Sequence, residues 1–442
     1  MRSRRFRARW VPLSAPESLV AELRRELGRF QRESPAPSAA AALFRDGEVR
    51  WSEAIGLADV ESGRQATPDT QYAIASITKT FVARAILILR DEGALALDDP
   101  LGAHIPEAAR EGVTIRRLLA HSAGIQREPP GDIWETLEMP DREQLVAGFA
   151  EAEQVLDPAS LWHYSNLGYA VLGEVVGRVA GIPCERFVEE RLLGPLGLGR
   201  TSWRPGANAA TGYFVERFAD AAVREPVIEK RAVAPAGALW STVEDLARWG
   251  SHLLEQEEMH AVQVMADADR WSLAWGLGLM LHRRGDRLFA GHDGGAVGHA
   301  SHLSWSRRER VGIALLTNTE NPALDFDPLS LTEKAAEALP LEPEPWRPGP
   351  AVPPELTGVL GIWWGEGVDW WFEWREGRLQ ASRPGRKAAP AMFEREHEDV
   401  YRTVSGREQG ELLRVVRDGD GAVTKLYWAT YPFTREPQHF GR

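Results

Sequence analysis

The chain has 442 residues, of which 43% are hydrophobic and 26% charged, and its formal net charge is −12. This length exceeds what one hydrophobic core usually holds, so we expect two or three domains. The negative charge argues against nucleic acid or an anionic membrane as the main partner, and the single cysteine, Cys184, excludes an internal disulfide and a cysteine-based metal site.

The N-terminus is basic but does not continue as a signal peptide. The apolar stretch after the first nine residues is short and broken by proline, and Glu17 and Glu22 follow at once. No run of about 18 apolar residues occurs anywhere in the sequence. We therefore expect a cytoplasmic protein without membrane association, whose residues 1–16 form a flexible basic tail.

Hydrophobic periodicity along the next 300 or so residues predicts an α+β domain. The predicted elements are an amphipathic helix at 17–32, a β-hairpin at 39–56 that turns at Asp46-Gly47, a mostly helical stretch at 76–198, and strands near 275–282, 288–290, 299–305 and 311–317. Strands at both ends with helices between them indicate a sheet that distant segments complete.

A serine followed by a lysine opens the helical stretch, in Ser76-Ile77-Thr78-Lys79. The chain has only five lysines among its 52 basic residues, and lysine, unlike arginine, can lose its proton when it is buried. A helix starting near Thr78 and ending at Gly93 would place Lys79 one turn from Ser76, as a base beside a nucleophile. The alternative is that Ser76 merely caps the helix.

We call each group of candidate site residues a station: Ser76 and Lys79 form the first, and Tyr164 and Asn166 form the second. Tyr164 could shuttle a proton if nearby cations lowered its pKa, and Asn166 could hold a substrate amide or orient Lys79. The alternative is a helix entry in which Ser165 or Asn166 caps the apolar run that follows.

The glycine-rich segment 291–299 forms the third candidate station. Gly294 and Gly295 allow the backbone to approach a ligand closely, and His292 places a polar group beside it. A metal site built from His292, Asp293, His299 and His302 is a rival interpretation, but no ordered ligand spacing accompanies it.

The order of these three stations resembles the serine β-lactamase and penicillin-binding-protein superfamily. The Tyr-x-Asn and His-x-Gly motifs are closest to the class C β-lactamase-related branch, which includes esterases, D-aminopeptidases and DD-carboxypeptidase-like hydrolases. The segments 74–81, 115–125 and 235–246 also resemble this branch, and the likeness covers residues 37–319. One departure is His121-Ser122-Ala123-Gly124, which stands where relatives commonly have His-Thr-Ser-Gly.

The resemblance implies a β-lactamase/transpeptidase-like fold, with an antiparallel sheet flanked by helices plus an all-helical lobe. It also implies a serine hydrolase in which Ser76 attacks a carbonyl while Lys79 and Tyr164 share the acid and base roles. The backbone N–H groups of Ser76 and Gly295 would form the oxyanion hole. Asn166 would position the substrate and His292 would flank the acyl group.

Beyond this domain, a proline-rich segment at 339–354 predicts a linker. Alternating short strands and turns, rich in tryptophan, then predict a small all-β, barrel-like domain at 355–442. It resembles the lipocalin-like domain that some relatives append. The tryptophans are expected to form its core rather than to line a ligand cavity. The predicted hydrolase domain is 17–338.

The expected activity is acyl-enzyme hydrolysis of a small ester or a D-amino-acid amide or peptide, without a cofactor or metal. A β-lactamase or DD-carboxypeptidase-like activity is one alternative, because fold does not fix substrate. A sensor that is acylated once and does not turn over is another. The expected partner is a small molecule or short peptide, and a homo-oligomer is left open.

Overall fold

The computed structural model describes residues 15–216, 219, 221–320, 326–340, 348–386 and 388–437. The chain divides into two units, Met1–Leu341 and Glu342–Arg442. This division falls inside the predicted linker at 339–354, and the exact domain limits stay a prediction. Residues 1–14 of the predicted basic tail lie outside the described residues.

The first unit combines short and long helices with a set of mainly antiparallel strands. Its helices are α1 (Glu17–Glu33), α2 (Thr78–Asp91), α3 (Ile115–Leu119), α4 (Ile133–Thr136), α5 (Arg142–Glu151), α6 (Asn166–Ala180), α7 (Cys184–Val188), α8 (Gly194–Leu196), α9 (Val243–Leu254) and α10 (Leu329–Ala338). Its strands are β1 (Ser38–Arg45), β2 (Glu48–Asp59), β3 (Arg64–Gln65), β4 (Tyr72–Ala73), β5 (Tyr213–Val215), β6 (Ala222–Arg224), β7 (Trp240–Ser241), β8 (Val264–Met265), β9 (Leu273–Trp275), β10 (Met280–Arg284), β11 (Arg287–Ala296), β12 (His299–Ser306) and β13 (Val311–Thr317).

Nine of these strands form one antiparallel sheet in the order β3-β2-β1-β13-β12-β11-β10-β9-β8. The N-terminal hairpin therefore pairs with the last strand, with Ala42 opposite Ala314. This confirms the expected α+β, β-lactamase-like fold, in which segments far apart in sequence complete the sheet. At the hairpin turn, Asp46 and Gly47 both adopt positive φ, 51° and 87°, as a tight two-residue turn requires.

The sheet buries both faces because side chains alternate along each strand. On β1, Ala39, Ala41 and Leu43 pack into a core shared with α1 and α10. Ala40, Ala42 and Phe44 point the other way, into the larger core shared with α2, α6 and α9. This second core carries the helical lobe and supports the site described below.

Two predicted strands differ from the structure. The single strand expected at 275–282 is wrong, because β9 ends at Trp275 and β10 begins at Met280. The loop between them passes so close to its neighbours that a Cβ on Gly276 would lie 2.1 Å from the Met259 carbonyl oxygen. The strand expected at 288–290 is much longer, Arg287–Ala296, because its glycines give no hydrophobic signal in the sequence.

The second unit is an antiparallel meander. Its strands are β14 (Gly361–Gly365), β15 (Val368–Arg375), β16 (Arg378–Ser382), β17 (Ala391–His397), β18 (Val400–Ser405), β19 (Leu412–Arg417), β20 (Val423–Trp428) and β21 (Tyr431–Phe433). They pair in sequence order, and a bridge between Trp364 and Thr434 nearly closes the sheet. This confirms the all-β, barrel-like architecture, whereas the lipocalin-like detail stays a prediction. Trp363 and Trp428 are buried in its core.

Within the described part of the chain, no single helix is long and apolar enough to cross a membrane. Among the described helices, one pair bent by 77°, Asn166–Ala180 and Cys184–Leu196, has the length and apolar composition of a membrane span when its two helices are taken together.

Helix α2 is fixed to α9 by an aromatic stack, and this contact yields a stability prediction. The rings of Phe81 and Trp249 stack with centroids 3.8 Å apart, and Trp249 Nε1 donates to Thr80 Oγ1 at 2.8 Å. We expect Trp249→Ala to lower the free energy of unfolding by about 3–5 kcal/mol, since it empties a fully buried site.

The matched control is Trp271→Ala, the same substitution at a tryptophan that is 65% exposed. It should change stability by no more than about 0.5 kcal/mol. Urea unfolding followed by circular dichroism measures both, and equal losses would contradict the assigned role of α2–α9 packing.

Candidate active site

Ser76 lies in a tight turn that leads into α2. Residues Ala75–Ile77 form one 3₁₀ turn, and Ala75 has a φ of 45°, in a region that non-glycine residues seldom occupy. The residue before α2 is Ile77, and no side chain caps this helix. The capping interpretation of Ser76 is therefore not supported, and its hydroxyl is available for other contacts.

Lys79 lies one turn on from Ser76, as the spacing predicted. Its Nζ is 3.0 Å from Ser76 Oγ and donates to the Ala236 carbonyl oxygen at 2.5 Å. The side chain is completely buried. Burial holds the pKa of Lys79 well below its usual range; Glu128 raises that pKa, and the nearby cations lower it further. Burial therefore favours the neutral amine, the form that could accept a proton from Ser76.

Tyr164 reaches the same serine from the start of α6. Its ring lies 5.0 Å from Lys79 Nζ. Burial raises the pKa of Tyr164, and this outweighs the lowering caused by its hydrogen bond with Ser76 and by Arg127. The site interpretation of the sequence required nearby cations to lower the pKa of Tyr164, but the net shift of this pKa is upward. Tyr164 is thus a protonated phenol in the resting site.

The two interpretations of this segment, as the entry to a helix and as part of the site, are compatible with each other. Ser165 caps α6, since its Oγ accepts a hydrogen bond from the backbone N–H of Gly168 at 2.9 Å. The cap fixes where the helix begins and so places Tyr164 just before it and Asn166 at its first position. One short motif therefore both starts a helix and delivers two side chains to the cavity.

Two neighbours of this segment were missed by the sequence argument. His121 stacks on the Tyr164 ring at 4.3 Å, and its Nδ1 accepts from the Ser165 backbone N–H at 3.0 Å. Glu128 accepts from Asn166 Nδ2 at 2.6 Å. His121 begins the His-Ser-Ala-Gly segment that stands where relatives commonly have His-Thr-Ser-Gly, so its position in that segment was the available signal. Glu128 had none.

The third station lies on β11, where His292 is buried. Its Nδ1 bonds the Asp293 carbonyl oxygen at 2.6 Å, and Nε2 has no hydrogen-bond partner among the described residues. The ring packs edge-on against Trp275 at 5.6 Å. Burial lowers the pKa of His292 to about 4, so the imidazole is neutral near pH 7.

The two predicted glycines of β11 differ in their surroundings. A Cβ on Gly294 would lie 2.3 Å from Ser301 Oγ and 2.4 Å from the Ile74 carbonyl oxygen, whereas one on Gly295 would meet nothing within 4 Å. Only glycine therefore lets β11 approach the turn that carries Ser76. The close approach at Gly294 is to protein backbone, whereas Gly295 faces open space; the predicted approach of these glycines to a ligand stays a prediction.

The rival metal interpretation finds no geometric support. Within the described ranges, no group of three or more His, Cys, Asp or Glu side chains is arranged to hold a metal ion. Asp293 and His302 instead hydrogen-bond each other, while His299 packs edge-on against the rings of Tyr72 and Trp240.

The candidate site residues lie around one cavity of about 650 Å³. Ser76, Tyr164, Asn166, His292, Gly294 and Gly295 all line it, and the amine of Lys79 reaches Ser76 from the protein interior. Its walls combine apolar and charged side chains: Trp134, Met139, Trp162, Trp275, Met280, Arg127, Glu128, Lys230 and Asp293. The geometry thus brings a serine hydroxyl, a buried amine and a protonated phenol together at one cavity.

Two protein-family models match the chain, one on each side of the boundary between the two structural units. A family model described as Beta-lactamase matches residues 23–337. A second model, described as a domain of unknown function (DUF7586), matches residues 352–435.

Two individual relatives match only part of this chain. Esterase EstB of Burkholderia gladioli is 35% identical over 199 residues, which are 41% of this chain and 50% of that protein. Protein flp of Staphylococcus aureus (strain MRSA252) is 25% identical over 312 residues, 64% of this chain and 59% of the relative. The chain thus spans only about half to three-fifths of the length of these relatives.

Solved structures share the architecture. A D-stereospecific amidohydrolase from Streptomyces sp. is 26% identical, with a TM-score of 0.60 over 71% of this chain and 97% of that one. An octameric penicillin-binding protein homologue from Pyrococcus abyssi is 23% identical, with a TM-score of 0.64 over 94% of this chain and 100% of that one. The second likeness concerns the fold alone.

The contrast between the two glycines of β11 is testable. We expect Gly294→Ala to lower the free energy of unfolding by about 1–3 kcal/mol, since the new methyl group collides with backbone and forces the strand away. Gly295→Ala is the matched control and should cost less than about 0.5 kcal/mol. Thermal or urea unfolding of both variants measures this. Equal stability of the two would mean that β11 does not press on the Ser76 turn.

Proposed function

The chain belongs to the beta-lactamase family, and from this premise we propose that it is a serine hydrolase that works through an acyl-enzyme. The observation that carries the proposal is the 3.0 Å contact between Ser76 Oγ and the buried amine of Lys79. The names of two similar proteins, an esterase and a D-stereospecific amidohydrolase, support hydrolysis of an ester or amide bond.

Acylation begins when the Ser76 hydroxyl transfers its proton to Lys79 Nζ while Oγ bonds to the substrate carbonyl carbon. The carbonyl π electrons move to oxygen and form a tetrahedral oxyanion. Backbone N–H groups of Ser76 and Gly295 would stabilise that charge, which is usually a large contribution in acyl transfer. Lys79 fits the base role because its pKa is lowered by burial, whereas the pKa of Tyr164 is raised.

Tyr164 then serves as the acid. Its phenol donates a proton to the leaving oxygen or nitrogen as the bond to the carbonyl carbon breaks, and the ammonium of Lys79 returns a proton to the phenolate. Deacylation repeats these steps with water in place of Ser76, which regains its proton when the ester breaks. Lys79 and Tyr164 thereby form one relay rather than two independent bases.

Asn166 and His292 would orient the substrate. Asn166 donates through Nδ2 to Glu128, which leaves its carbonyl oxygen to accept an N–H from the substrate. His292 is neutral and has Nε2 without a partner among the residues that the structure describes. This nitrogen can bond a polar group beside the acyl carbon.

The substrate class is a small ester or a D-amino-acid amide or peptide. A cavity of about 650 Å³ lies in the range that small molecules occupy. A β-lactamase or DD-carboxypeptidase-like activity uses the same chemistry and is the second candidate, favoured by the shared fold. Cytoplasmic location and homo-oligomer formation stay predictions.

The assignment of Ser76 is tested with a fluorophosphonate probe and a substrate panel of p-nitrophenyl esters, D-amino-acid p-nitroanilides and nitrocefin. Ser76→Ala should abolish labelling and lower turnover of every accepted substrate by at least about 10³-fold, because it removes the hydroxyl that forms the acyl-enzyme. Ser62→Ala, at an exposed serine, should keep both. Unchanged labelling of Ser76→Ala would sink the proposal, and a burst without steady turnover in the wild type would favour the sensor.

The division of roles between Lys79 and Tyr164 is tested by leaving-group dependence. p-Nitrophenolate leaves without needing a proton, but an anilide nitrogen must be protonated. We expect Tyr164→Phe to lower kcat/KM more for the p-nitroanilide than for the p-nitrophenyl ester. Lys79→Met should lower both by a similar factor of about 10²–10⁴, because it removes the base from acylation. Equal losses for both substrates in Tyr164→Phe would reject Tyr164 as the acid.

A further inference from the structure

The edge of β11 that faces the cavity carries a charged side chain, Asp293, to which the proposed mechanism gives no role. β10 pairs with β11 only from Arg287 to Gly291, whereas the pairing with β12 continues to Ala296. Asp293 lies in the stretch that extends past β10, and it lines the cavity together with Ser76. Its side chain is 53% exposed, so one side of the carboxylate is open to a ligand.

A buried relay holds the other side of this carboxylate. Asp293 Oδ1 lies 2.5 Å from Nδ1 of His302, the residue opposite it on β12. His302 Nε2 lies 2.7 Å from Ser304 Oγ, which in turn lies 2.6 Å from Thr332 Oγ1 on α10. His302, Ser304 and Thr332 are all buried. Because each polar atom of the imidazole has a partner, the ring and the carboxylate are fixed before a ligand arrives.

Asp293 is paired with His302 and has no arginine or lysine partner among the residues that the structure describes. Burial would raise the pKa of Asp293, but the neighbouring histidines His302, His292 and His282 together lower it more, and the net downward shift keeps the carboxylate ionised near pH 7. Its Oδ2 makes no hydrogen bond within the described part of the chain. Glu174, by contrast, is flanked by Arg142 and Arg178.

The carboxylate is also close to the reacting groups. Its charge contributes to the raised pKa of Tyr164, the residue that contacts Ser76. The cations of the cavity have other neighbours: Arg127 lies 3.6 Å from Glu128, and Lys230 lies 4.9 Å from the centre of the Trp134 ring. Neither forms an ion pair with Asp293 in the described part of the structure.

We propose that Asp293 is a specificity residue that binds the ammonium group of a cationic ester or amide and disfavours substrates with a carboxylate at that place. This inference rests on the proposed hydrolase function and adds the charge of the substrate to it. A fixed, ionised carboxylate with one open oxygen attracts an ammonium group, accepts a charge-assisted hydrogen bond where that group carries an N–H, and repels a second carboxylate.

Two pairs of substrates test the proposal, because the ammonium could belong to either side of the scissile bond. On the acyl side, D-alanine p-nitroanilide is compared with its neutral N-acetyl derivative and its anionic N-succinyl derivative. On the leaving side, a choline ester is compared with the neutral 3,3-dimethylbutyl ester of the same acid. The readout is the ratio of kcat/KM for the cationic and the neutral member, which cancels general losses of activity.

Asp293→Asn and Asp293→Ser should lower this ratio roughly tenfold in one of the pairs, since each removes the charged partner of the ammonium. Both should raise the relative rate on the N-succinyl substrate if the acyl pair responds. Glu128→Gln is the matched control, because it neutralises the other carboxylate of this site, and it should leave the ratio unchanged. Two variants at position 293 guard against a folding defect in either one.

Ratios that stay unchanged in both pairs would overturn the proposal, as would a ratio that responds to Glu128→Gln and not to Asp293→Asn. A wild-type preference for the N-succinyl substrate would also overturn it and would assign selectivity to the cations instead. The proposed function fails separately, if Ser76→Ala still hydrolyses the neutral ester. Loss of that activity together with unmoved ratios would remove only the role of Asp293.

Discussion

The site depends on an amine that is buried without a counter-ion. Lys79 is fully enclosed, and no ion pair to it occurs among the described residues. Removing an ammonium ion from water costs on the order of several kcal/mol, so burial favours the neutral form. A neutral amine keeps hydrogens to donate to the Ala236 carbonyl oxygen and a lone pair to face Ser76. In the proposed mechanism, burial is thus what lets an ordinarily charged side chain act as a base.

The parts of this site that the sequence predicted are those governed by local geometry. Ser76 and Lys79 are one helical turn apart, so their contact follows from spacing. Tyr164 and Asn166 flank the serine that caps α6, and Gly294 is needed wherever β11 comes close to backbone. The sheet order was predictable only in outline, from strands at both ends of the domain. Each success used a rule that acts over a few residues.

The parts that the sequence could not predict depend on contacts between distant segments. Glu128 meets Asn166 across 38 positions and His121 meets Ser165 across 44, and no spacing rule connects such pairs. The break between β9 and β10 has the same origin, because it reflects how closely Gly276 passes the backbone of Met259. The upward shift in the pKa of Tyr164 likewise depends on burial, which only the folded chain determines.

The charges around Ser76 follow from this burial and change during the reaction. Burial favours the neutral forms of Lys79 and His292, and the carboxylates of Glu128 and Asp293 line the same cavity as the serine. In the proposed acylation step Lys79 accepts the serine proton, and a cation forms in the interior, where burial opposes it. Glu128 is the group that raises the pKa of Lys79, so it stabilises that cation. The same carboxylate that fixes Asn166 therefore offsets part of the cost of moving the proton. Asp293 is not among the groups that shift the pKa of Lys79; its charge acts on Tyr164 instead, where it helps to keep the phenol protonated.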